Sequence, residues 1–190
     1  NKLSDEEPLK LNLHKNDWFV RHARRILQER QADTLALVKT LKSDLPVPSR
    51  LRVLWALHVS GHLNKSTLSN LLNDPSEHIR AWAIQLLCEN RKPGVAVCKK
   101  FAQLAKNDKS PLVRLYLASA MQRLSFSERI PILKRLLAHA EDVKDQNLPL
   151  MYWYATEPVV AANKKVAVEL LTACKIPKVR QFITRRLASK

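Results

Sequence analysis

One apolar pattern recurs six times along this chain, and it limits the available folds more than any other feature. The strings "NDWFVRHARRILQER" from Asn16, "SRLRVLWALHVSG" from Ser49, "DPSEHIRAWAIQLL" from Asp74, "DKSPLVRLYLASAMQRL" from Asp108, "QNLPLMYWYATEPVV" from Gln146 and "IPKVRQFITRRLASK" from Ile176 can be superposed. Their anchors Val20, Leu51, Ile79, Val113, Leu150 and Val179 lie 31, 28, 34, 37 and 29 residues apart. Between them run further segments, "ADTLALVKTLK", "NKSTLSNLLN", "VAVCKKFAQLAKN", "ERIPILKRLLAH" and "KKVAVELLTACK", each apolar at helical spacing. A pair of such helices cannot bury its apolar stripe alone, whereas pairs stacked side by side share one core. The expectation is an all-α chain, a superhelix of about six helical repeats forming one domain over residues 1–190. Glycine usage agrees: two glycines, Gly61 and Gly94, against ten prolines leave little for the tight turns of a sheet.

The connections suit helices. "NDPSEH" and "NDKSPL" offer Asp or Ser caps with a proline in the first turn, where its missing N–H costs nothing. In "KSDLPVPSR" the two prolines are expected to delay the next helix until Ser49 caps it.

Charge bears on partners. The 33 Lys and Arg against 17 Asp and Glu give +16, a field that attracts polyanions, acidic protein surfaces or anionic lipid. The excess is spread along the chain, without the block of five like charges that marks a nucleic-acid arm. No run of 18 apolar residues suggests a membrane span, so no membrane insertion is expected. "NKLSDEEPLK" has no initiator methionine and no apolar signal-peptide core, and reads as the start of a fragment or processed product. Cys88, Cys98 and Cys174 are odd in number and set in apolar helical patterns, as expected of buried free thiols.

A helix, a turn with Asp and Pro, and a second helix opening with a Val-Arg or Ile-Arg pair resembles the HEAT repeat. Arg21, Arg80, Arg114 and Arg180 follow β-branched anchors, Arg52 follows Leu51, and the fifth copy has Met151 instead. The resemblance implies that the repeat arginine pairs with the Asp of its own turn: Asp17 with Arg21, Asp74 with Arg80, Asp108 with Arg114. With Arg180 these residues form an expected structural ladder that braces the stack. Five strings, "NDWFVRHARRILQER", "LRVLWALHVSG", "EHIRAWAIQLL", "VRLYLASAMQRL" and "EDVKDQNLPLMYWYATEPVV", further resemble the helical-repeat segment of Planctomycete–Verrucomicrobia-type membrane-associated dehydrogenase-like cytochromes. That resemblance implies a sugar-dehydrogenase-like propeller upstream, a c-type cytochrome domain downstream, and a periplasmic or cell-envelope location. Haem attachment needs Cys-x-x-Cys-His, which this sequence lacks, so no cofactor is expected in this segment.

Chemistry-bearing motifs are sparse. His58 and His62 in "HVSGH" have i, i+4 metal spacing, but Gly61 signals a helix end and no third ligand is near. Glu141, Asp142, Asp145 and Asn147 in "HAEDVKDQN" are oxygen ligands suited to calcium, without the glycine or spacing of an EF-hand loop. Asn64-Lys-Ser is a formal glycosylation sequon. No catalytic triad or Gly-rich phosphate loop occurs, so no catalytic and no metal residue is assigned, and the segment reads as no enzyme.

The repeat columns give the sharpest local feature. Three residues past each anchor stand Ala23, Leu54, Trp82, Tyr116, Trp153 and Phe182, an aromatic column in the last four copies. The column four past, Arg24, Trp55, Ala83, Leu117, Tyr154 and Ile183, is mostly apolar and expected in the core. The expected interaction surface comprises His22, Arg25, Trp82, Tyr116, Tyr152, Trp153 and Phe182. The expected function is a non-catalytic, monomeric scaffold binding flanking domains of its own chain or another protein. The alternative is a nucleic-acid-binding solenoid that uses the basic surface and aromatics such as Trp18 and Trp55.

Overall fold

The computed structural model describes residues 4, 6–34, 37–41 and 44–189, and every regular element among them is helical. In order these are α1 (Glu6–Leu11), α2 (Asp17–Arg30), α3 (Leu37–Thr40), α4 (Val47–Val59), α5 (Lys65–Leu71), α6 (Glu77–Leu87), α7 (Val95–Asn107), α8 (Pro111–Ala120), α9 (Phe126–Leu136), α10 (Leu148–Ala162), α11 (Lys164–Ala173) and α12 (Pro177–Ala188). Short 3-10 turns occupy Met121–Arg123 and Ala140–Lys144. Leu35, Ala36 and Lys42 of the expected helix "ADTLALVKTLK" lie outside the described residues. The chain divides into two compact units, 1–79 and 80–190, with the boundary inside α6.

In the first unit α1 packs on α2, and α4 packs on α2 and α3. Val20, Leu27, Val53, Leu54 and Leu57 are fully buried there. Helix α4 corrects an expectation: it starts at Val47 with Pro46 as N-cap, and Ser49 does not cap it. The prolines do not delay the helix because Pro48 falls in its first turn, where no intrahelical N–H is needed. Helix α4 ends at Ser60, and Gly61, at φ +77°, takes the left-handed turn beyond it.

In the second unit α7 packs on α9, α9 on α11, and the alternate helices α8, α10 and α12 pack in series. That is a stack of helix pairs. Phe101, Leu117, Met121, Ile132 and Tyr152 fill its core. Helix α9 opens with a reciprocal cap, in which the Glu128 carboxylate accepts from the Ser125 backbone N–H (3.0 Å) and hydroxyl (2.7 Å). These two bonds hold the Glu128 carboxyl below its ordinary range. Because the folded-state value is depressed, this contribution is fully present above about pH 4.5 and is lost as the pH falls through the lowered value. Ser125→Ala is expected to cost about 1 kcal/mol. The loss should be seen by thermal unfolding at neutral pH and should shrink in acid.

Burial resets the repeat register in two copies. Counting from Ile79 and Val113, the residues four, seven and eight further on are buried: Ala83, Leu86 and Leu87, then Leu117, Ala120 and Met121. The same rule holds in α4 only from Ser49, through Val53, Ala56 and Leu57. In α10 it fails from Leu150 and holds from Leu148, through Tyr152, Ala155 and Thr156. Leu51 and Leu150 are therefore two residues past the equivalent positions. The residue after each corrected reference is Arg50, Arg80, Arg114, Pro149 or Arg180.

Candidate interaction surface

The arginines that follow those references set the geometry around the surface. Arg50 Nη1 donates to Asp74 Oδ1 at 3.1 Å, and its Nη2 pairs with Oδ2. Arg80 Nε and Nη2 donate to the two carboxylate oxygens of Asp108 at 2.8 and 2.9 Å. Arg114 does the same to Asp142, at 2.8 and 2.5 Å. Each fork therefore grips the turn carboxylate of the following repeat, which corrects the expected side-chain partner for Arg114 and supplies Arg80 and Asp74 with partners in adjacent repeats. Arg114 keeps only a backbone link to its own turn, Nη1 to the Asp108 carbonyl at 3.0 Å. Arg50, not Arg52, occupies this position in the second copy. Arg52 reaches back instead, to the His14 carbonyl at 2.9 Å and to Asp17 at 3.4 Å.

One further ladder expectation is corrected. Arg21 and Asp17 do meet, at 2.6 Å, but within one helix and largely in solvent, so the pair braces nothing outside α2. Arg180 is exposed and donates to the carbonyls of Leu171 (2.6 Å) and Cys174 (3.0 Å). Cys174 stands where the earlier turns carry aspartate, and Pro149 stands where α10 would carry the arginine, so both halves of that link are replaced together.

The Arg114–Asp142 pair is the most enclosed, with each side chain 3% exposed. Tyr152 completes it, its hydroxyl donating to Asp142 Oδ2 at 2.6 Å. Burial, and then the adjacent carboxylate, push the Tyr152 phenol above its ordinary range, so it stays a donor. Tyr152 is fully buried and is core, contrary to its expected place on the interaction surface. Tyr154, expected in the core, is 55% exposed, because α10 is turned by the two-residue register shift.

That shift places Met151 in the column of Trp82, Tyr116 and Phe182. Trp82 and Tyr116 are half-buried, with ring centroids 6.4 Å apart. They line a groove of about 510 Å³ across α6, α8 and α10. Its apolar wall continues through Leu115, Leu150, Met151 and Tyr154, and its polar groups are Gln85, Ser119 and Asn147. None of these carries a formal charge. Trp153 and Phe182 pack on each other at 5.3 Å, both half-buried. Met151 is the member that sequence reasoning missed, because the column was counted from Leu150.

In the first unit His22 is exposed and stacks on Trp18 with centroids 4.1 Å apart, and Trp18 is itself 59% exposed. Arg25 is exposed and pairs with Glu29 at 2.7 Å. Trp55 has the Arg24 guanidinium over its ring at 5.0 Å.

The metal-like motifs are otherwise occupied. His62 Nδ1 lies 3.2 Å from Thr34 Oγ1, and its Nε2 lies 3.9 Å from Asp33. In the acidic loop Asp142 is locked to Arg114, Glu141 meets His139 at 2.6 Å, and Asp145 accepts from the N–H groups of Asn147 and Leu148. Among the described residues no group of three His, Cys, Asp or Glu is placed to hold a metal ion. Cys88, Cys98 and Cys174 are buried free thiols, and burial pushes Cys88 up to about 12.

A turn aspartate, a second helix opening with Ile-Arg or Val-Arg, and a bond from that arginine to the next turn recur through the middle of the chain. Residues 64–146 match the family of HEAT repeats. The matched segment runs from the N-cap of α5 to the turn before α10 and includes the Arg80–Asp108 and Arg114–Asp142 links. HEAT repeats generally act as scaffolds for protein interactions. No significant match to a curated protein is found. Among the described residues no helix is long and apolar enough to cross a membrane.

Proposed function

We propose that this chain is a non-catalytic interaction scaffold whose groove across α6, α8 and α10 receives a segment of a protein partner. The observation that carries this reading is the groove itself: aromatic and aliphatic walls from three alternate helices, uncharged and mostly half-buried, with a few polar groups to orient what binds. The likeness to the repeat segment of dehydrogenase-like cytochromes makes flanking domains of the same polypeptide the first partners to test, in the periplasm or cell envelope.

The test is calorimetric titration of this chain with the propeller and cytochrome regions that this reading expects beside it. Binding is expected for at least one, and Trp82→Ala and Met151→Ala should each weaken it by roughly tenfold or more. Binding that is indifferent to both substitutions would remove the groove from the function. No binding by either region would send the search to a separate protein. The second reading, a nucleic-acid-binding surface, draws on Trp18, exposed beside His22. Titration against duplex DNA separates the two: tight binding that falls steeply with salt supports it, and weak binding at physiological salt rejects it.

A further inference from the structure

We infer that the segment this groove receives is acidic, an amphipathic helix whose apolar side chains enter the groove and whose carboxylate pairs with Arg123. The inference rests on the groove reading above and adds the chemistry of the occupant.

Two observations carry it. The first is what the fold does with its own carboxylates. Residues 80–190 contain 21 Lys and Arg but only 8 Asp and Glu. Asp108 and Asp142 are consumed by Arg80 and Arg114, Glu157 by Arg186, and Glu169 by Lys134. Glu128 and Asp145 are spent on helix caps, and Glu141 on His139. Seven of the eight acids are thus engaged by partners within the fold while the cations outnumber them, so this unit carries a net positive charge and the groove in it is uncharged.

The second observation is Arg123. It is half-buried, and among the described residues no carboxylate lies within ion-pair distance of it. With the Gln85 amide oxygen turned toward it, Gln85 accepts from Arg123 Nη1 at 2.9 Å and Nη2 at 3.2 Å. Gln85 is part of the groove wall, so the cation adjoins the groove. A partly desolvated guanidinium held only by a neutral amide gains from a carboxylate brought by a ligand. A phosphate polymer would satisfy the charge and leave the aromatic walls unfilled, whereas an acidic helix with apolar anchors satisfies both.

The probes are three synthetic peptides that share Leu and Phe anchors at helical spacing, with flanks of Asp and Glu, of Ser and Gln, or of Lys and Arg, each titrated against the full chain by fluorescence anisotropy. The acidic peptide should bind roughly tenfold or more tighter than the neutral one, and the basic peptide should bind weakest. Arg123→Gln should bring the acidic peptide down to the neutral one, and Arg123→Lys should restore part of the difference. Trp82→Ala should weaken the acidic and neutral peptides together. Equal binding of acidic and neutral peptides, unchanged by Arg123→Gln, would overturn the charge inference and leave the groove reading standing. Acidic-peptide binding that ignores Trp82→Ala would place it outside the groove and sink both. Failure of the acidic peptide to bind at low salt overturns the proposal, as does its displacement by duplex DNA when Trp82→Ala has no effect on the DNA.

Discussion

Replacing Arg114 by alanine is expected to lower the stability of the second unit by about 3–5 kcal/mol. Arg114 and Asp142 are both almost fully enclosed, and removal of the guanidinium leaves the carboxylate with the Tyr152 hydroxyl as its one remaining side-chain hydrogen-bond donor among the described residues. A buried charge that loses its counter-ion cannot recover the hydration it gave up on folding, so the penalty exceeds the worth of the bond itself. Urea unfolding followed by circular dichroism measures it as a fall in the midpoint. Arg21→Ala is the control: its partner Asp17 is in solvent, and the midpoint should not move. A loss from Arg114→Ala no larger than that of the control would show that the pair is not a brace.

Asp108→Ala should rank next. Asp108 does two jobs at once: it receives both arms of the Arg80 fork, and its Oδ1 accepts from the Ser110 N–H at 3.0 Å to shape the entry to α8. Loss of the ion pair costs of order 3 kcal/mol, and loss of the turn cap about 1 kcal/mol more. Asp108→Asn separates the two jobs, since an amide oxygen can still accept from Ser110 while the charge is gone. The expected order of thermal midpoints is wild type, then Asn, then Ala. An Asn variant as poor as Ala would assign the whole effect to the charge.

The helix pairs were legible because a period-long apolar pattern survives local divergence, and aspartate turns mark where each second helix begins. The register of two copies was not. In "SRLRVLWALHVSG" two arginines flank Leu51, and apolar residues are so dense that either alignment looks amphipathic. In α10 nearly every position is apolar, and Tyr152, Trp153 and Tyr154 are interchangeable to a pattern reader. A better guide lay in the polar residues, since Asp44 and Arg50, Asp74 and Arg80, and Asp108 and Arg114 are each six apart. That spacing picks out Arg50 over Arg52. It could not show the partner of each arginine, because reaching the next turn depends on how pairs stack, not on distance along the chain. The groove was half legible for the same reason. Trp82 and Tyr116 were found in their column, and Met151 entered only when α10 was rotated into place.

The offset of the arginine forks ties each helix pair to its neighbour in how the array comes apart. A fork that closed on its own turn would let each helix pair hold itself together and melt independently. Here the arginine of one pair is satisfied by the turn of the next, so every link is a nearest-neighbour coupling and belongs to neither repeat alone. Opening the α9–α10 connection releases Asp142 and takes that carboxylate from Arg114 one repeat earlier, and opening the α7–α8 turn takes Asp108 from Arg80. Disorder within the second unit is therefore passed between neighbouring repeats through unpaired charge. The interval between α10 and α12, where Pro149 and Cys174 replace both partners, transmits none of it by this route.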